Sequence, residues 1–139
     1  MSTLIIRQPN EAEFEEVKNH LKKFVLDSSE ADKGQFKVLL YNDKLAAFGR
    51  LKQRNDGIEL CSIGVVEEYR GKKLGETIVK DILATAKTDV YLVTVIPAFF
   101  SKLGFNETKE YPASLQNKRE NFCEHHHPGD CVSVMKYSH

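Results

Sequence analysis

The sequence predicts a mixed α/β fold, a mostly antiparallel sheet with helices against it. Two observations carry this. Between Phe36 and Val66, apolar runs are separated by the turn compositions Asn42-Asp43 and Asn55-Asp56-Gly57, the signature of successive hairpins. From Ile58 to Ile96 the pattern changes to strand, amphipathic helix, strand.

The elements follow in order. Leu4–Arg7 reads as a short strand. Asn10 with Glu13 three residues later is a capping-box arrangement, and after it Phe14, Val17, Leu21, Phe24 and Val25 recur at helical spacing. The polar run from Asp27 to Gly34 is a loop. Phe36–Tyr41, Leu45–Lys52 and Ile58–Val66 are strands; Gly64 inside the third suggests a bulge or a place where another chain comes near. Leu74, Ile78, Ile82, Leu83 and Ala86 give a helix with one apolar face. Val90–Ile96 is a near-continuous apolar strand, expected to be buried on both sides. Phe99–Leu103 is a short helix, Phe105–Lys109 an edge strand and Val132–Tyr137 a closing strand. With no repeat, linker or low-complexity tract, residues 1–139 are expected to form a single domain.

Composition narrows the function. The chain is 41% apolar and 29% charged, ordinary for a soluble globular protein. Twenty basic residues balance 20 acidic ones, which argues against coating nucleic acid. No apolar run approaches the roughly 20 residues of a membrane span, and Leu4–Arg7 is too short for a secretory signal. Three cysteines, an odd count, fit a reducing cytoplasm better than a disulfide framework.

The chemistry concentrates where the third strand opens into a helix, at Ile63-Gly64-Val65-Val66-Glu67-Glu68-Tyr69-Arg70-Gly71-Lys72-Lys73-Leu74-Gly75. The first amides of a helix have no partner within it and lie at its positive dipole end. A preceding loop that turns its own amides inward makes a concavity for phosphate oxygens. Gly71 and Gly75 allow close backbone approach, while Arg70, Lys72 and Lys73 add positive charge. The segment reads as a diphosphate cradle; the alternative is a solvated basic turn. The P-loop and the G-x-G-x-x-G dinucleotide fingerprint are both absent.

The cradle resembles the acetyl-CoA-binding motif of the GNAT superfamily of N-acetyltransferases, Gln/Arg-x-x-Gly-x-Gly/Ala. Arg70 matches its first position and Gly75 its last, whereas Lys73 stands in place of the middle glycine. Ala98-Phe99-Phe100-Ser101-Lys102-Leu103-Gly104-Phe105 looks like the second signature of that family, and Glu59–Val65 resembles the strand before the cradle. The likeness covers residues 58–105 well and the N-terminal third only in its pattern of elements. Glu59–Gly75 together with Phe105 and Tyr111–Leu115 also resembles the acetyltransferase domain of bacterial N-acetylglutamate synthases.

The resemblance implies a GNAT-like fold whose two central strands splay, with acetyl-CoA as co-substrate. Ile63 and Val65 would pair with pantetheine through their backbones, Gly64 giving clearance. Arg70, Gly71, Lys72, Lys73, Leu74 and Gly75 would hold the pyrophosphate, with Phe100 and Lys102 also on the cofactor side. The acceptor would be a primary amine of a small molecule, such as an amino acid of the glutamate kind. An alkyl ammonium with a pKa near 10 is neutral to about one part in a thousand at pH 7, a deficit of roughly 4 kcal/mol. Glu59 is the candidate catalytic base, the alternative being a solvent-facing strand residue. An α-amine, with a pKa about 8, needs a base less. Many family members carry a tyrosine general acid where this chain has Phe100; Ser101 and Tyr91 are candidate substitutes, and a thiolate of pKa near 8.5 leaves tolerably without help.

Cys123-Glu124-His125-His126-His127-Pro128-Gly129-Asp130-Cys131 has enough soft ligands for a tetrahedral zinc site, through Cys123, His125, His127 and Cys131. The spacing matches no well-known zinc finger, so a polar loop is preferred and no metal is expected. Two competing readings are a non-catalytic acetyl-CoA-binding sensor or interaction module, and a zinc-stabilised interaction domain. A cytoplasmic monomer or homodimer, with no nucleic-acid or membrane partner, is the expectation.

Overall fold

A computed structural model describes residues 2–24, 26, 31–116 and 133–138. The elements are β1 (Leu4–Arg7), α1 (Glu11–Lys23), β2 (Phe36–Tyr41), β3 (Lys44–Arg54), β4 (Gly57–Val65), α2 (Leu74–Ala84), β5 (Val90–Thr94), α3 (Pro97–Ser101), β6 (Asn106–Glu107) and β7 (Ser133–Tyr137). The sheet order is β1-β2-β3-β4-β5-β7-β6. This is the mixed α/β architecture that the hairpins and the strand-helix-strand unit predict. The chain forms two compact units, one from Met1–Leu51 and Leu60–Thr85, the other from Lys52–Glu59 and Ala86–His139.

In the first unit, β1 pairs antiparallel with β2, and β2 with β3. The hairpin turn between β2 and β3 places Asn42 and Asp43 at φ 50° and 68°. Both are left-handed, the geometry of a tight hairpin turn and one that Asn and Asp tolerate. The capping box at the start of α1 is complete: Glu13 N–H donates to Asn10 Oδ1 at 2.8 Å, and Asn10 N–H donates to Glu13 Oε1 at 2.9 Å.

One face of α1 then buries Phe14, Val17 and Leu21 against Phe36, Val38, Leu40, Leu45 and Phe48. A register shift separates the pairs Leu39↔Ala47 and Leu40↔Leu45. The extra residue in β3 turns Leu45 and Phe48 to the same face. Each such side chain taken from water contributes about 1.5–3 kcal/mol. Lys37, alternating with these residues, faces away and donates to Asp81 Oδ1 of α2 at 2.6 Å. Helices α1 and α2 thus cover opposite faces of β2 and β3.

In the second unit, β4 joins β5 in a parallel ladder through Ile58↔Val90 and Glu59↔Tyr91. Strand β7 lies between β5 and β6, paired antiparallel with both. The edge strand expected over Phe105–Lys109 is β6, reduced to Asn106–Glu107. The rings of Phe99, Phe100, Phe105 and Tyr137 form a chain of contacts with centroids 5.0, 5.7 and 5.5 Å apart. Strand β5 differs from its expected burial on both faces. Val90, Leu92 and Thr94 are buried, but Tyr91 and Val93 are only half-buried. Ala86 is buried yet lies beyond the end of α2.

Among the described residues, no helix is long and apolar enough to cross a membrane. The Cys123–Cys131 cluster lies outside the described residues.

Candidate functional site

The cradle belongs to the first unit and begins where β4 stops. Val66 N–H donates to Ala46 O at 2.8 Å, extending the pairing to β3 by one residue. A single 3-10 turn, Glu67–Tyr69, then redirects the chain. Its side chains are tied back to the unit: the Tyr69 and Tyr41 rings lie 5.6 Å apart, and Lys72 Nζ stands 5.5 Å from the Tyr41 ring centroid. Arg70 folds the same way, its Nε donating to Val65 O at 3.1 Å and its guanidinium 5.0 Å from the Phe24 ring centroid. The loop is therefore anchored by its cations while Arg70, Gly71, Lys72 and Lys73 remain solvent-exposed.

Two residues of the loop, Gly71 and Lys73, have positive φ. Gly71 has φ 87°, and a Cβ there would meet nothing within 4 Å. What position 71 needs is glycine's freedom, and the space above it stays open. Lys73 has φ 61° and ψ 26°, the left-handed region, and is the N-cap of α2. Lysine, standing where the motif has its middle glycine, thus takes a left-handed conformation at a penalty of about 1 kcal/mol.

Lys73 also makes no side-chain cap hydrogen bond, since an ammonium can only donate. Thr77 N–H and Oγ1–H both donate to Lys73 O, at 3.1 and 2.9 Å, and fix the first turn. Leu74 is buried beneath that turn and Gly75 half-buried on it. The first amides of α2 face a basic, open loop, an arrangement suited to an external anion.

Immediately upstream, Ile63, Gly64 and Val65 are half-buried. Gly64 is the close-approach case: a Cβ on it would lie 2.5 Å from Phe48 Cζ, 2.8 Å from Phe48 Cε2 and 3.2 Å from Leu26 Cδ1. The bulge-like distortion falls elsewhere, at Ser62, whose φ of 58° makes it the one left-handed residue inside a described strand. Composition gave no sign of this. Arg50, a lone charge in the apolar run Ala46–Leu51 and matched by no motif, is wholly buried and donates from Nε to Ser62 Oγ at 3.0 Å.

A depression of about 380 Å³ on the same unit is lined by Glu13, Glu16, His20, Asp43, Lys44 and Glu68, among others. Four carboxylates against one lysine and one histidine make it a poor host for a diphosphate, in contrast with the loop at residues 70–75.

Glu59 belongs to the second unit. It is not solvent-facing: its exposure is 0%, and Arg54 donates to its Oε1 from Nε and from Nη2, both at 2.8 Å. Nearby, Ser114 donates to Asp56 from its backbone N–H at 3.0 Å and from Oγ at 2.6 Å. These bonds, the side-chain one foremost, hold the Asp56 carboxyl below its ordinary range. Phe100 is buried in the aromatic chain of this unit, and Lys102 is exposed at the end of α3. Ser101 is exposed, and Tyr91 sits under Lys136, whose Nζ is 5.9 Å from the ring centroid. Among the described residues, no group of three or more His, Cys, Asp or Glu is arranged to hold a metal ion.

Comparison with known proteins shows the family and the fold. The profile described as "Acetyltransferase (GNAT) family" matches residues 4–105. The chain belongs to the GNAT family, a class of acetyl-CoA-dependent N-acetyltransferases. Among solved structures, the N-acetylglutamate synthase of Neisseria gonorrhoeae, complexed with coenzyme A and N-acetyl-glutamate, superposes with a TM-score of 0.77. It is 15% identical, over 98% of this chain and 35% of that one. Escherichia coli ElaA gives 0.70 at 16% identity, over 99% of this chain and 100% of that one. Arabidopsis thaliana Naa50, in complex with the bisubstrate analogue CoA-Ac-MVNAL, gives 0.65 at 17% identity, over 98% and 99%.

At such identities the likeness is one of fold. The chain spans about a third of the length of the synthase, 35% and 33% in two of its structures. No curated protein sequence matches the chain.

Proposed function

We propose that the protein transfers the acetyl group of acetyl-CoA to the primary amine of a small molecule, with an amino acid of the glutamate kind as the leading acceptor class. One observation carries the reading. The N-terminus of α2 is entered through a left-handed Lys73 that offers no cap, below an open Gly71 and beside three exposed cations. That is a site for the two phosphates of CoA. The backbone of Ile63–Val65 would then pair with pantetheine, with Gly64 leaving room on the strand. The acceptor class is supported by the fold shared with the gonococcal synthase, which binds coenzyme A and N-acetyl-glutamate.

The reaction joins the amine nitrogen to the thioester carbonyl carbon and breaks the C–S bond; the amine gives up a proton and the sulfur leaves as thiolate or thiol. Glu59 is the candidate acceptor of that proton. With Oε1 held by Arg54, the carboxylate is fixed in place, so it would act at one geometry, directly or through a water. An α-amine, already partly neutral at pH 7–8, asks less of a base. Phe100 would line the cofactor side.

A second reading, an acetyl-CoA sensor without turnover, is favoured by Phe100 itself, which has no hydroxyl to protonate the leaving sulfur. Calorimetric titration with acetyl-CoA, followed by a thiol-release assay over a panel of amines and amino acids, separates the two. Binding with thiol release supports transfer, and binding without release across the panel supports the sensor. Absence of binding, with unshifted amide resonances at residues 70–75, overturns both.

A further inference from the structure

Arg50 is wholly buried in β3 and lies outside the cradle. Its Nε donates to Ser62 Oγ at 3.0 Å and its Nη1 to Gln35 Oε1 at 3.0 Å, while the guanidinium carbon stands 5.3 Å from the Phe36 ring centroid. A planar group gripped by two side-chain oxygens and a ring face is fixed in orientation. Ser62, at φ 58°, holds a conformation that a residue with a Cβ adopts only under steric penalty. Serine has no marked preference for it, so the surroundings must impose it. The buried bond from a charged donor is of the strong kind and acts directly on that residue.

The position of Ser62 gives this bond a role. It immediately precedes Ile63-Gly64-Val65. A left-handed residue within a strand bends the chain and re-aims the peptide groups that follow. We infer that Arg50 is a positioning residue for acetyl-CoA: through Ser62 Oγ it holds the bend that sets the direction of the main-chain groups of Ile63–Val65. The inference rests on the reading that this segment pairs with pantetheine. Without the Arg50 bond, Ser62 relaxes toward the extended region, and the following peptide planes turn with it.

The test uses the full chain and four variants, Ser62→Ala, Ser62→Gly, Arg50→Met and Arg50→Met/Ser62→Gly. Acetyl-CoA is titrated calorimetrically into each, and KM and kcat are measured with a turned-over amine. Alanine keeps the strained Cβ and loses the oxygen, so Ser62→Ala raises Kd and KM about tenfold, with kcat within about twofold. Glycine reaches positive φ without penalty, so Ser62→Gly stays within about threefold of the parent. Arg50→Met behaves as Ser62→Ala, and adding Ser62→Gly to it restores most of the affinity.

Equal losses in Ser62→Ala and Ser62→Gly overturn the inference. So does an Arg50→Met protein with a lowered Tm and unchanged acetyl-CoA affinity. Should Arg50→Met fail to fold, the two Ser62 variants decide alone. Acetyl-CoA-induced amide shifts at Ile63–Val65 in the parent keep the two ideas apart. Their absence removes the pantetheine reading and the inference with it; shifts accompanied by equal Ser62 losses remove only the role of Arg50.

Discussion

Arg54 closes on Glu59 from two nitrogens, Nε and Nη2, each 2.8 Å from the same carboxylate oxygen of a residue with no exposure to solvent. Removing one partner of such a pair leaves a charge buried beside apolar groups. Arg54→Met should lower the unfolding free energy by about 3 kcal/mol in a denaturant titration, and pairing it with Glu59→Leu should recover much of the loss.

The same carboxylate carries the proposed proton transfer. Glu59→Gln keeps the size and an acceptor oxygen but takes no proton. If Glu59 is the base, kcat/KM falls by about 10²–10⁴ and its acid-side dependence on pH disappears. Unchanged turnover from pH 6 to 9 would leave Glu59 as the anchor of Arg54 alone.

Gly64 and Phe48 make a steric prediction. The Cβ of Gly64→Ala would fall 2.5 Å and 2.8 Å from two atoms of a ring packed in the α1 core. A ring cannot yield as the end of an aliphatic chain can, so the strand must shift. The expected outcome is a loss of about 1–3 kcal/mol in stability, together with weaker acetyl-CoA binding.

Lys73→Gly should act in the opposite direction. It removes the left-handed penalty and restores the glycine of the family motif, stabilising the folded chain by about 1 kcal/mol, offset in part by the added freedom of the unfolded state. Acetyl-CoA affinity reports the balance between one lost cation and a better-shaped loop; at low salt the charge should dominate and the variant should bind less tightly.

Glu13 gives the pH dependence a sign. Arg7 donates to its two oxygens at 2.6 and 2.8 Å, and with the Asn10 backbone bond this holds the carboxyl below its ordinary range. A depressed carboxylate contributes stability above its unfolded pKa, near 4.3, and loses it as pH falls through the folded value. Thermal melts between pH 6 and 3 should therefore decline less steeply in Glu13→Gln. The difference should stay under about 1 kcal/mol, because Arg7 is exposed to screening solvent.

The sequence disclosed what is local. The 3.6-residue spacing of Phe14, Val17 and Leu21, the Asn10–Glu13 cap and the Asn42-Asp43 turn are each decided by neighbours in the chain, and each is found as expected. The helix that starts at Leu74 after a basic loop was legible for the same reason. What escaped depends on distant partners. The left-handed Ser62 is bonded to Arg50 of the neighbouring strand, and Glu59 is buried where β4 pairs with β5 at Tyr91. The insertion of β7 between β5 and β6 pairs Val90 with Tyr137, far along the chain, and no periodicity encodes it. The half-exposure of Tyr91 and Val93 depends likewise on what covers that face, which an apolar run cannot specify.

The interleaving of the two units constrains how this protein can be divided. Since Lys52–Glu59 leaves the first unit and the chain returns at Leu60, no single cut yields either half as one unbroken fragment. A polypeptide ending at Thr85 would carry every segment of the first unit, along with a hairpin tip severed from the β5 and Ser114 partners it meets in the intact chain. Ribosomal synthesis passes through that same truncated species, so Glu59 gains its β5 neighbour Tyr91 only from residues still to be made.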